Sequence, residues 1–175
     1  MLNRGAQRGV TIIEMVISMA IIAIVMALAV PSFKVMLTNA QIRTAAQALY
    51  DGLQLARVEA IRRNERVLFT KGVQSGWTVS IESNSSTVQA RPSTEGSSIA
   101  QVAVTPSGAT KVTFNALGRV VANTDTSASI SQLDIDVPTS VLPASDTREM
   151  RVTVSAGGAI RLCDPNAASG VGMGC

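Results

Sequence analysis

The sequence predicts an α+β protein: one long N-terminal helix, its first half of membrane-spanning length, packed on an antiparallel β-sheet head. Three observations carry this. The run from Val10 to Val30 is 21 residues long and holds a single charge, Glu14. About 20 apolar residues are what a helix needs to cross the hydrocarbon core. Farther on, from Ile42, apolar residues recur at helical spacing. After residue 66 the chain breaks into short segments rich in Val, Ile and Thr, separated by Ser, Asn, Gly and Pro, which is the pattern of antiparallel strands.

Taken in order, the chain opens on a basic leader with Arg4 and Arg8, then Gly9, then the apolar run. A secretory signal has a shorter apolar region followed by a small-residue cleavage site. Here the run is too long and no such site follows it. Basic residues before a span belong on the cytoplasmic side. Within the run, Glu14 is expensive: a carboxylate at the bilayer centre costs roughly 2.5 kcal/mol or more. Something must compensate for it, or it lies where the cost is small.

Pro31 follows the run. A proline inside a helix removes a hydrogen bond and kinks the chain. The helix continues beyond it, because Ile42, Ala46, Leu49, Leu53, Ala56 and Ala60 form an apolar stripe at alternating spacings of four and three. The expected helix runs from about residue 10 to about 64. Gly52 costs it about 1 kcal/mol without breaking the pattern. At its end Arg57, Arg62, Arg63 and Arg66 cluster. Such a cluster reads either as a basic face or as a solvated helix end whose cations favour the dipole, and the solvated end is the simpler reading.

The strand segments are "RVLFT", "GWTVSIES", "STVQARP", "SIAQVAVT", "KVTFNALGRVV", "SQLDIDVP" and "MRVTVSAGGAIRLC". A hairpin is expected around Gly157-Gly158, another turn at Gly118, and a polar loop across "NTDTSASISQ". Aromatic residues make up only 3% of the chain, so the core must rest on Val, Ile, Leu and Ala.

Charge and composition exclude several functions. Of 15 basic residues, Arg4 and Arg8 lie in the first nine positions, leaving 13 against 12 acidic residues. The basic balance therefore comes from the leader and is weak evidence for a nucleic-acid partner. The chain has no histidine, which rules out a His triad, a His metal site and a His pH switch. Cys163 and Cys175 fit a disulfide closing a short terminal loop in an oxidising compartment; two free thiols in a reducing one are the alternative. Asp134 and Asp136 share one face of a strand, but no run of oxygen ligands with loop spacing accompanies them, so they read as a solvated face rather than a calcium site. No Gly-rich phosphate loop and no CxxC is present. The expectation is a non-enzyme with no metal and no cofactor.

The stretch "RG-VTIIE" resembles the class III leader of type IV prepilins and type II secretion pseudopilins. The resemblance implies that a membrane prepilin peptidase cuts between Gly9 and Val10 and methylates the new N-terminus at Val10, although the family usually has phenylalanine there. Glu14 then becomes the fifth mature residue and an assembly residue. Its carboxylate can pair with the α-amino group of a neighbouring subunit, a cation with pKa near 8, so both charges are compensated inside an apolar filament core. The family also carries a helix-bending proline where this chain has Pro31. "ALYDGLQLARVEAIRRNERV" is similar to the GspH/FimT branch in particular, and so is the strand-then-cysteine tail "RLCDP".

On that resemblance the chain divides into a leader (1–9), a transmembrane and filament-core helix (10–30), an amphipathic helix half (31–65) and a periplasmic β-rich head with a C-terminal disulfide loop (66–175). The implied function is a minor pilin in a tip complex that primes type IV pilus assembly. Alternatives are a type II secretion pseudopilus subunit for protein export and a DNA-binding minor pilin for transformation. Implied partners are prepilin peptidase, other minor pilins and the major pilin or pseudopilins, the inner-membrane assembly platform and membrane lipid. DNA is the weakest of these. The FimT-type Gly-Arg-x-Arg motif reads Gly158-Ala159-Ile160-Arg161 here, so only Arg161 carries over, and one phosphate-contacting cation adds little affinity. The implied location is the bacterial inner membrane, single-pass, with incorporation into a pilus or pseudopilus.

Overall fold

The computed structural model describes residues 9–95, 97–168 and 172–175. One helix, α1 (Ile12–Arg63), is followed by nine strands. Thr11 caps α1, its hydroxyl accepting the Glu14 amide at 3.3 Å, which satisfies a donor that the first turn leaves unpaired. The helix runs through Pro31. At its other end Arg62 and Arg63 occupy the last turn, and Asn64 takes the left-handed conformation, φ 55°, that closes many helices.

The chain divides after Met36 into two compact units. In the first, every large apolar side chain from Val10 to Val30 is more than half exposed. The second unit, Leu37–Cys175, holds the core. The predicted stripe is its helical face: Ile42, Ala46, Leu49, Leu53, Ala56 and Ala60 are all fully buried. Each buried Leu or Ile of that stripe contributes about 1.5–3 kcal/mol through the apolar area it removes from water.

The strands are β1 (Val67–Lys71), β2 (Trp77–Ile81), β3 (Thr87–Arg91), β4 (Gln101–Thr105), β5 (Lys111–Phe114), β6 (Val120–Val121), β7 (Gln132–Asp136), β8 (Met150–Val154) and β9 (Ile160–Cys163). Every segment read as strand-forming contains one, and "KVTFNALGRVV" and "MRVTVSAGGAIRLC" contain two each. They make two antiparallel sheets rather than one continuous sheet, in the orders β3-β2-β1-β5-β6 and β4-β7-β8-β9. Alternation places Val67 and Phe69 of β1, Val79 of β2, Leu133 and Ile135 of β7 and Val152 of β8 inside, as a half-buried pleated surface requires.

Backbone hydrogen bonds tie the sheets together, from Val120 N–H to the Ala156 carbonyl at 3.2 Å and from Ile130 N–H to the Lys111 carbonyl at 2.9 Å. The polar stretch before β7, residues 123–131, is a loop organised by Asn123. Its side chain is buried, accepts the Thr113 hydroxyl at 2.8 Å and donates to the Ser127 carbonyl at 2.9 Å. A disulfide joins Cys163 and Cys175, whose Cα atoms are 5.1 Å apart. The tail it closes returns to β9, with Asp164 N–H donating to the Met173 carbonyl at 2.7 Å.

Candidate functional site

The first candidate is the start of α1. Gly9 and Val10 precede the helix, and Thr11 fixes where it begins. Glu14 stands in the first turn, four residues beyond Val10, which itself lies outside the helix. Beyond Thr11 and Ser18, which bond the Glu14 backbone, the described helix around it is bare and apolar, with Ile12 86% exposed. A monomer in water rarely leaves so large an apolar surface uncovered. Lipid or other apolar helices are the media in which it is stable. The leader residues 1–8, with Arg4 and Arg8, lie outside the described residues.

The second candidate is the arginine cluster at the end of α1. The structure occupies all four side chains. Glu59 takes two of them: Arg62 Nε and Nη2 donate to its two oxygens at 3.0 and 2.7 Å, and Arg63 Nε donates at 2.6 Å. Those hydrogen bonds hold its carboxyl at about 2, well under the ordinary value. Arg66 pairs with Glu82 at 2.7 Å and donates to the Ala122 carbonyl at 2.6 Å. Arg57 Nε donates to the Gly118 carbonyl at 3.2 Å. Arg57 reaches from the helix to the turn between β5 and β6, and Arg66, just past the helix, reaches Glu82 just after β2, while the Glu59 cluster stays within the last turns of α1. The spacing Glu59–Arg62–Arg63 was the signal for it.

Asn39 makes a comparable fastening. Its amide donates to the Asp146 carbonyl at 2.9 Å and accepts the Arg148 N–H at 2.7 Å, pinning the loop before β8 to α1. No local sequence pattern predicts a pair more than a hundred residues apart.

Arg161 is exposed on β9, opposite Thr153 of β8. Asp134 and Asp136 do share the outward face of β7, between buried Leu133 and Ile135. Asp134 is taken by Arg151 Nε at 2.5 Å and by Gln132 Nε2 at 2.7 Å. Among the described residues no group of three His, Cys, Asp or Glu side chains could hold a metal ion. Elsewhere, Lys111 and Ser127 hold the Asp125 carboxyl well below the usual carboxylate range, and burial lowers Lys71.

The family model described as type II transport protein GspH matches residues 45–158, and that of the prokaryotic N-terminal methylation motif matches residues 4–30. Two crystal forms of the type IV minor pilin FimU of Pseudomonas aeruginosa share the fold. One has a TM-score of 0.53 at 17% identity, covering 75% of this chain and 94% of that one. The other has a TM-score of 0.52 at 17% identity, covering 73% and 97%. No curated protein matches the chain.

Proposed function

The chain belongs to the GspH family of type II transport proteins, and we propose that within it this subunit is a minor pilin that joins a tip complex priming type IV pilus assembly. The family is one of structural pilin subunits, and the methylation motif at residues 4–30 marks a chain that is processed and that interacts with other pilins. An apolar N-terminal helix anchors it to a membrane and carries a soluble head.

The observation that carries the proposal is the one carboxylate of the apolar run, Glu14, four residues beyond Val10 in the first turn of a helix whose apolar side chains are bare there. Prepilin peptidase cuts between Gly9 and Val10 and methylates Val10. In the inner membrane the new amine and Glu14 lie near the headgroups, where charge is cheaper. On extraction into a filament, each Glu14 meets the amine of a neighbour, and the apolar faces of residues 10–30 pack together. Pro31 lies inside the helix just past this segment, where a proline removes a backbone hydrogen bond. The other minor pilins, the major pilin and the assembly platform are the partners.

The description of the matching family as a type II transport protein favours a second reading, a pseudopilus subunit of a secretion machine. An in-frame deletion tests both. Loss of sheared surface pili, restored by the gene, supports the priming role. Unchanged pili with lost secretion of exported proteins replaces it with the second reading.

A further inference from the structure

The two sheets of the head have four edges, and three of them are blunted. The β9 edge is covered by its own disulfide-tied tail, through the Asp164–Gly174 bridge. The β6 edge is engaged by the hairpin between β8 and β9, at Val120 N–H to Ala156. The β3 edge is bulged where it meets β2, between Val79 and Ser80, and ends in Arg91. Bulges, charges and covering segments are the ordinary devices by which proteins prevent edge-to-edge pairing.

β4 has none of them. Its sequence, "QVAVT", contains no charge, no proline and no glycine, and it pairs with β7 in full register over five residues without a bulge. Among the described residues no strand lies on its other side. Gln101, Ala103 and Thr105 are exposed. A straight, uncharged, β-prone edge is a template for one more strand.

The chemistry beside this edge selects its occupant. Gln101, Ala103, Asp134, Asp136 and Glu149 line an open groove of about 590 Å³ on the outward face. Asp134 is already paired with Arg151, but Asp136 Oδ1 is screened from solvent and has no hydrogen-bond partner. A strand added to β4 would lie two strand spacings, about 10 Å, from β7. Its outward side chains would look across the small Ala103 toward Asp134 and across Gln101 toward Asp136. A lysine or arginine spans that gap and satisfies the unpaired carboxylate oxygen. A second copy of this chain is the poorer fit, because β4 against β4 would set two acidic grooves side by side, and like charges facing each other are destabilising.

We infer that β4 is a docking edge for an extended segment of another protein, carrying Lys or Arg at alternate positions, which adds a fifth strand to the β4-β7-β8-β9 sheet. The inference goes beyond the pilin reading and does not depend on which machine the subunit serves.

The probe is a labelled peptide of about seven residues alternating Val and Lys, titrated onto the full chain in detergent. Three comparisons accompany it: the same peptide with Glu for Lys, one methylated on alternate backbone amides, and the protein variants Ala103→Lys and Asp136→Asn, both on exposed or outward positions. The expected result is binding that slows amide exchange at residues 101–105, and weakens about tenfold or more for the Glu peptide, the methylated peptide and Ala103→Lys. Equal binding of the methylated peptide would mean charge attraction without strand pairing, and overturns the inference. So does binding without slowed exchange in β4, or no binding at all. Dimerisation of the chain that Ala103→Lys abolishes would replace the basic partner with a second copy.

Discussion

The indole of Trp77 lies directly on the backbone of Gly52: a Cβ built on Gly52 would stand 2.7 Å from two of its ring carbons and 3.0 Å from the Phe69 ring. Trp77 and Phe69 pack together with ring centroids 6.2 Å apart. The helix therefore approaches the first sheet closely at Gly52, a buried position beside its stripe that has no side chain. This explains a glycine that otherwise only weakens α1.

Gly52→Ala tests that contact, since two opposing effects fall on it. Alanine gains about 1 kcal/mol of helix propensity, whereas forcing a methyl into a packed ring costs about 1–3 kcal/mol. The rings are large and buried, so the clash wins. The expected outcome is a Tm lower by a few degrees, about 2–4 °C per kcal/mol for a chain of this size. A raised Tm would show that propensity dominates and that the rings yield.

Two adjacent glycines in the β8–β9 hairpin should behave differently. Gly158 has φ +83°, and a Cβ there would stand 1.8 Å from the Gly118 carbonyl oxygen, while a Cβ on Gly157 meets only Ser155 Oγ at 3.8 Å. Gly158→Ala should cost about 3 kcal/mol or more, through both strain and overlap. Gly157→Ala should stay within about 1 kcal/mol of the parent. Urea titration of the two variants decides it; equal effects would refute the close approach of the two turns.

The ion pairs at the end of α1 give a pH signature. The Glu59 carboxyl is depressed from 4.5 to about 2, first by the Arg62 hydrogen bonds and then by that of Arg63. A depressed pKa contributes stability that is present above the unfolded value and is lost as pH falls through the folded one. Glu59→Gln should therefore unfold at lower urea than the parent at about pH 7, with the gap closing as pH falls from about 4.5 toward about 2. A gap that persists at the acid end would mean the variant lost packing rather than charge.

Glu14→Ala separates processing from assembly. The substitution leaves Gly9 and Val10 untouched and improves the apolarity of the span, so cleavage and membrane insertion should continue. Incorporation into sheared filaments should fall by about tenfold, the scale of one lost charge pair of about 1.4 kcal/mol in an apolar core. Immunoblots of membrane and filament fractions read both steps, and parental levels in the filament fraction would sink the role given to Glu14.

By itself the sequence determined the elements and their inner faces. The stripe from Ile42 to Ala60 was legible because a helix repeats every 3.6 residues, and the strands because alternation and turn residues are local signals. The proposed processing site rests on equally local signals, since the glycine, the proposed cut position and a carboxylate lie within six consecutive residues, 9–14.

What only the tertiary structure decided were relations between residues far apart in the chain. Asn39 with Arg148, Gly52 with Trp77, Arg57 with the Gly118 carbonyl and Asp134 with Arg151 depend on how strands are ordered. No local period encodes that order. The same holds for the division of the head into two sheets. Strand propensity says which residues extend, but which edges are covered and which, like β4, stay open is fixed by the packing of the whole head.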